Sequence, residues 1–582
     1  MMRSSPRIPL LLSVVGLLAL PAPATAQTPA SADERLRALY NAEWSWRQKE
    51  LPRDSAYFPR VDAASQQTRL TYWTRVLAQL DSIPMAELSP DERVNARVFG
   101  TAIRALVEDV RFKTYEAPFN SDSFFWTEFT PRQGFQKVDD YHRFLGRLRD
   151  VPRYFDEQMT NMRAGLARGF TVPRVSIIGR DKTIEPYVKG DSTNPLYLPF
   201  TQMPTSISAA EQETLRNEAR TVIRDVTAPA YARLLSMIRD EYMTKARTTL
   251  AATAMPDGAA YYQAMIRTYT TLDFTPQQIH DMGLAEVARI DAEMQATMKK
   301  SGFKGTMPEF MKFLRTDPQF YAKTPRELLS YSAYVSKKAD HMLKQFIGFL
   351  PRYRHGILPV PDAIAPIYTA GRGGLDACLM NTYNLPSRTL YTLAALTLHE
   401  CTPGHSFQAA LAREGPPRPD FRKGTSFSGY GEGWGLYTEW LGTLMGIYET
   451  PYEDFGRLSY EMWRACRLVI DTGIHQFGWS RQRAIDYLKQ HAALSEHEIG
   501  TEIDRYISWP GQALAYKLGE MQIRRHRREA EQALGSAFDQ RNFHDAILAL
   551  GSVPLPVLED RMKQFIADGG KNPSTPAAPH VP

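Results

Sequence analysis

The stretch Leu393-Ala394-Ala395-Leu396-Thr397-Leu398-His399-Glu400-Cys401-Thr402-Pro403-Gly404-His405 decides how the rest of the chain is read. Leu393, Leu396 and Leu398 belong to an apolar run that continues as a helix and would hold His399 rigidly. A His-Glu dipeptide on a helix supplies a metal ligand and a neighbouring base, and the usual second histidine lies four residues after the first, on the same face. Here the second histidine is His405, six positions on. An unbroken helix would set the two rings about 120° apart, too far round for one ion. Pro403 lacks the amide that would bond the carbonyl of His399, and its ring clashes there. Gly404 can take positive φ without a side-chain penalty. Together they predict a bulge or sharp turn that brings His405 back over His399. An intact helix through His405 would remove the site.

A third ligand is sought downstream, in Gly429-Tyr430-Gly431-Glu432-Gly433-Trp434-Gly435-Leu436-Tyr437-Thr438-Glu439-Trp440. Glu432 sits among glycines and aromatics, where a carboxylate can be partly buried, and a buried carboxylate needs a partner. Two histidines, one carboxylate and an open position form a catalytic zinc set. The bland alternative for Glu432 is an acid favoured at a helix start. Glu439 lies seven residues on, near the same face, as a ligand or as the partner of one. The Trp434, Tyr437 and Trp440 cluster reads as core. A second dipeptide, His497-Glu498, has no histidine within a turn or two and reads as an exposed helical pair.

Both motifs match in order and spacing the bacterial family known as domain of unknown function 885, which carries His-Glu-x-x-Pro-Gly-His and then Glu-Gly-Trp-x-Leu-Tyr-x-Glu. The chain resembles that family further at Asp471-Thr472-Gly473-Ile474-His475 and at Arg505-Tyr506 through Pro510-Gly511-Gln512-Ala513-Leu514 to Tyr516-Lys517. Ser406 departs from the histidine expected there in many relatives. The resemblance implies a gluzincin-like, mainly α-helical metallopeptidase fold with a deep cleft, Zn2+ as cofactor, and His399, His405 and Glu432 as ligands. Glu400 would then be the general base. His475, Tyr506 and Tyr516 are candidate donors to the oxyanion, the resemblance favouring the first two; packing roles are the alternative for each. Arg505 and Lys517 could hold a substrate carboxylate, or be surface or ion-paired charges. Asn381 could donate to a peptide added as a strand beside residues 377–382.

Working outward, helices are expected over 32–110, 139–167, 209–245, 257–300 and 324–349, a loop-rich stretch over 179–205, short strands near 365–370 and 377–382, and helices again over 389–568. That is a mainly α fold with a small sheet next to the metal helix. It divides into a helical half, 27–350, and a catalytic half, 351–568, forming one family unit. Residues 569–582, rich in Gly, Pro and Ala, read as a disordered tail.

Residues 1–26 carry a basic start at Arg3 and Arg7, an apolar run from Ile8 to Leu20, and Ala24-Thr25-Ala26 at the cleavage position: a secretory signal, cut before Gln27. No cysteine there offers a lipid attachment point, and no later segment reaches the ~18 apolar residues of a membrane span. The protein is therefore expected outside the cytoplasm, periplasmic or secreted. The three cysteines, Cys378, Cys401 and Cys466, are expected to be buried and unbridged. A net charge of +6 spread over 582 residues gives no basic patch, which argues against nucleic acid. The substrate class indicated is peptides. A zinc amidohydrolase acting on another amide, and an inactive periplasmic binding or scaffold protein, are the rivals.

Overall fold

The computed structural model describes residues 30–131, 134–362, 365–572 and 575. The signal pattern of residues 1–26 lies outside this range, as do 573–574 and 576–582 of the tail. At the described start of that stretch, Asn542 donates to the carbonyl of Gly570 at 3.1 Å, and Asn572 is buried.

The fold is mainly α-helical with one small sheet, as the patterning implies. Helices Ala32–Glu50, Ala63–Asp81 and Pro90–Arg111 fill the first expected stretch, and Val138–Arg168 the second. The expected helix over 257–300 is two, Gly258–Thr270 and Pro276–Lys300. Thr275 caps the second, Gln278 reaches back to it and Pro276 takes the first helical position, which is where the chain stops being one helix. Among the described residues no helix is long and apolar enough to cross a membrane.

Two hydrophobic clusters meet across the helix Leu390–Glu400, hereafter the metal helix. Ala394 and Leu398 pack with Phe99, Trp434, Leu441 and Ile547. Leu393, Ala395 and Leu396 pack with Ile290, Met380, Met462 and Ile503. Residues 391–399 are all buried, which is why the helix reads as apolar all round rather than as a stripe. A third cluster, built on Trp126, Leu145, Phe155 and Tyr231, joins Phe58 to the stretch 119–246.

Three short strands lie beside the metal helix: β1 (Gly356–Pro359), β2 (Gly371–Arg372) and β3 (Ala377–Met380). β3 is central, parallel to β1 and antiparallel to β2. The expected strand over 365–370 is instead a 3-10 turn at Ala365–Ile367, with the extended pairing displaced to Gly371. The centre position of β3 also corrects its expected role. β1 takes one edge over the whole of β3 and β2 takes the other at Leu379 and Met380, so an added peptide would find free only the stretch of that edge at Ala377 and Cys378.

The cysteine expectation is corrected as well. Cys378 of β3 and Cys401, the residue after Glu400, form a disulfide across a sequence separation of 23. Nothing in that spacing announces the pair; the sheet brings them together. Cys466 is buried and unpaired, as expected.

Candidate metal centre

The helix breaks where Pro403-Gly404 requires it. The metal helix ends at Glu400, Thr402-Pro403 is a cis peptide, and a new helix, His405–Glu414, begins at the second histidine. The two imidazoles end 4.8 Å apart between ring centres, nearly perpendicular. Gly404 is needed for a reason other than the one expected. Its φ is −77°, which any residue adopts. A Cβ there would stand 1.8 Å from the carbonyl oxygen of His399, so it is the missing side chain that lets the chain fold back.

The helix Ser428–Leu444 supplies the third group and locks the first two. Glu432 Oε2 lies 3.3 Å from Nε2 of both His399 and His405. One turn on, a Cβ at Gly435 would meet the His399 ring at 2.7 Å, so the glycine makes room for the imidazole. Glu439, another turn on, accepts from His399 Nδ1 at 2.8 Å and pairs with Arg464 at 3.3 Å. From the same helix Trp434 Nε1 donates to the carbonyl of Pro403 at 2.9 Å, and Thr438 donates to the carbonyl of Leu398 at 3.1 Å. The spacing of the second motif is thereby explained: 432, 435 and 439 face the imidazoles, while 434 and 438 hold the backbone on either side of them.

The donor atoms of His399, His405 and Glu432 lie within 4.8 Å of one another, close enough to hold one metal ion. The electrostatics agree with a cation there. Burial works against an imidazolium at His399, yet hydrogen bonds to Glu432 and Glu439 and the charge of Glu400 outweigh it and push the ring up to about 10. Burial raises the Glu432 carboxyl, but the two imidazoles hold it well below the usual carboxylate range. Three glutamates converge on one buried histidine, a negative pocket that a divalent cation would neutralise. Nitrogen and carboxylate donors suit zinc, and Glu439 bonded to the far nitrogen of His399 gives the carboxylate–histidine support that metal sites use.

Glu400 stands beside the cluster with Oε2 accepting the amide of Gly373 at 2.7 Å. Gly374 donates to Ser406 Oγ at 3.0 Å, so the turn after β2 is tied to both sides of the helix break. Sequence reading missed this turn; the Gly373-Gly374 pair was its only signal. A Cβ at Gly373 would meet the carbonyl of Glu400 at 2.1 Å.

The remaining candidates divide. Tyr516 lies over His399, ring centres 6.4 Å apart and nearly parallel, and its hydroxyl accepts from Arg505 at 3.3 Å. Arg505 also donates to Gln512 at 2.8 Å and so reaches the centre only through Tyr516. Tyr506 is 1% exposed and its hydroxyl accepts from Trp463 and Arg467, so it braces the wall behind Tyr516. His475 is corrected. Its Nδ1 accepts the amide of Ala252 at 3.1 Å and its Nε2 donates to the carbonyl of Tyr506 at 2.8 Å, leaving nothing for an oxyanion. Burial depresses it to about 3, so it is a neutral core histidine. Lys517 is corrected too: fully buried, it sits between Glu286, Glu461 and Glu520 at 2.8–2.9 Å and is structural. Asn381 donates to the carbonyls of Ala365, Tyr368 and Thr369, and its oxygen accepts the amide of Tyr383; it holds a loop rather than a peptide.

Residues 48–562 match the family described as "Bacterial protein of unknown function (DUF885)". No curated protein matches the chain. A solved structure described as a lipoprotein from Colwellia psychrerythraea is similar with a TM-score of 0.86 at 24% identity, covering 92% of this chain and 100% of that one. Another, described as a lipoprotein of unknown function from Shewanella oneidensis, has a TM-score of 0.67 at 17% identity with the same coverage. At these identities the likeness is one of fold. The match over residues 48–562 spans most of the sequence, and the chain belongs to the DUF885 family.

Proposed function

We propose that this protein is an exported zinc-dependent peptidase that hydrolyses peptide bonds at the His399–His405–Glu432 centre. The observation that carries the reading is the convergence of that donor set with a separate carboxylate, Glu400, which is not one of the three donors. The export pattern of residues 1–26 and the description of two similar structures as lipoproteins support a place in the cell envelope or beyond it.

Zinc in this set supplies Lewis acidity and brings the pKa of water towards ~7. Glu400, aimed by the Gly373 amide, takes a proton from the attacking water and returns it to the leaving nitrogen. Tyr516, with Arg505 donating to its oxygen, presents a hydroxyl to the oxyanion as the carbonyl carbon becomes tetrahedral. Glu439 and Arg464 keep His399 oriented and take no part in proton transfer.

The test is zinc content of the purified protein by elemental analysis, with turnover of a mixed peptide pool followed by mass spectrometry. The expected result is one zinc per chain and cleavage lost in Glu400→Gln by about 10²–10⁴-fold with the metal retained. Absence of stoichiometric metal, with Glu400→Gln equal to wild type, would leave a binding or scaffold role. Turnover of other amides but no peptides would leave the amidohydrolase.

A further inference from the structure

A cavity of about 260 Å³ runs along the metal helix one turn before the ligands. Thr389, Leu393 and Leu396 line it, and Glu400 follows on the same face, four residues after Leu396. The helix face that lines the cavity is thus the face that carries Glu400 one turn on. Its lining mixes apolar and aromatic side chains with small polar ones, and Arg315, Arg388 and Glu498 also reach it. Glu498 belongs to the second His-Glu dipeptide. His497 is exposed as expected, whereas Glu498 is half-buried against the cavity.

The charge balance indicates the ligand. Arg388 gives its Nε to the carbonyl of Tyr383, and Arg315 gives a nitrogen to the carbonyl of Ala492. Among the described residues neither forms a direct ion pair with a carboxylate. Burial, then the neighbouring Glu502, pushes the Glu498 carboxyl up to about 7, with Arg388, Arg464 and the Ser495 amide opposing. Two guanidiniums with no carboxylate at ion-pair distance thus share the cavity lining with an acid that carries its proton through the acidic side of neutrality, Arg388 acting on Glu498 and Arg315 on Glu496 only at longer range. Arg464 is turned to Glu439, and Tyr460 completes the facing wall.

We propose that this cavity is the subsite that anchors a carboxylate of the substrate, through Arg388 and Arg315, with Glu498 beside them on the cavity wall. The inference rests on the peptidase reading for what the substrate is, and on the cavity alone for what binds. The carboxylate has two possible sources in a peptide, the C terminus and an acidic side chain. An ionised Glu498 repels it and a protonated one donates to it, so binding weakens as pH rises through about 7.

The experiment is calorimetric titration of metal-stripped Glu400→Gln protein, so that binding is read without turnover. The ligands are a short alanine peptide with a free C terminus, its C-terminal amide, and the amide with one alanine replaced by glutamate. The expected result is at least about tenfold tighter binding of a carboxylate-bearing peptide than of the neutral amide. Preference for the free acid assigns the C terminus; preference for the glutamyl amide assigns the side chain. Arg388→Ala abolishes the difference, and Glu498→Gln, a permanent donor, retains it while flattening its fall between about pH 6 and 8. Equal binding of the three peptides, or a preference that survives Arg388→Ala in a protein of unchanged melting temperature, overturns the proposal. Neither outcome depends on whether the metal centre hydrolyses anything.

Discussion

Gly435 lies between Glu432 and Glu439 on the face that touches His399, and a Cβ there would approach the imidazole to 2.7 Å. Gly435→Ala is expected to displace the ring and lower zinc affinity by about 10–100-fold, the size seen when the shell behind a ligand is disturbed. Competition with a chelating dye measures it, and unchanged affinity would mean the ring has room that the geometry denies. Glu439→Gln belongs in the same range, because it removes the charge that orients His399 Nδ1. His475 makes a different prediction. Its folded value near 3 lies below the ordinary 6.5, so the unfolded chain binds the extra proton between them. Its stabilising contribution is full above about pH 6.5 and lost as pH falls towards 3. The melting-temperature difference between wild type and His475→Gln should therefore shrink on acidification from about pH 7 to 4, while activity per folded molecule stays near wild type. A fall in kcat without a change in stability would return His475 to the chemistry.

At the scale of elements, the break between the metal helix and His405–Glu414 is held from three sides. The Glu432 helix bonds the carbonyls of Leu398 and Pro403, the turn after β2 bonds Glu400 and Ser406, and the disulfide joins β3 to Cys401. A closed loop of this length restricts the unfolded chain by roughly 3 kcal/mol in the chain-entropy picture. Cys378→Ser with Cys401→Ser should lower the melting temperature and also kcat, because Glu400 precedes the bridged residue. Loss of stability with kcat intact would show that the other two ties suffice to aim the base.

For the whole molecule, the centre gathers three separate helices, and a metal that binds only the folded chain stabilises it by mass action. Chelation is expected to lower the melting temperature, and added zinc to restore it in proportion to the logarithm of its concentration; His405→Ala should be insensitive to both. A melting temperature indifferent to chelator in wild type would argue that no metal joins these helices.

The convergence of His399, His405 and Glu432 and the need for a helix break were legible in residues 399–405 and 429–440. Proline and glycine act through local backbone geometry, and seven-residue spacing fixes a helical face wherever the helix sits. Local pattern also gave the mainly helical class. It could not give the β1–β3–β2 order, the Cys378–Cys401 bridge or the Gly373 amide on Glu400, since each joins residues far apart in sequence whose meeting depends on packing. For the same reason His475, Lys517 and Asn381 looked chemical in the sequence and proved structural. A histidine, a lysine and an asparagine carry the same donors in a core as in a site, and only their neighbours in the fold determine whether those donors are already taken.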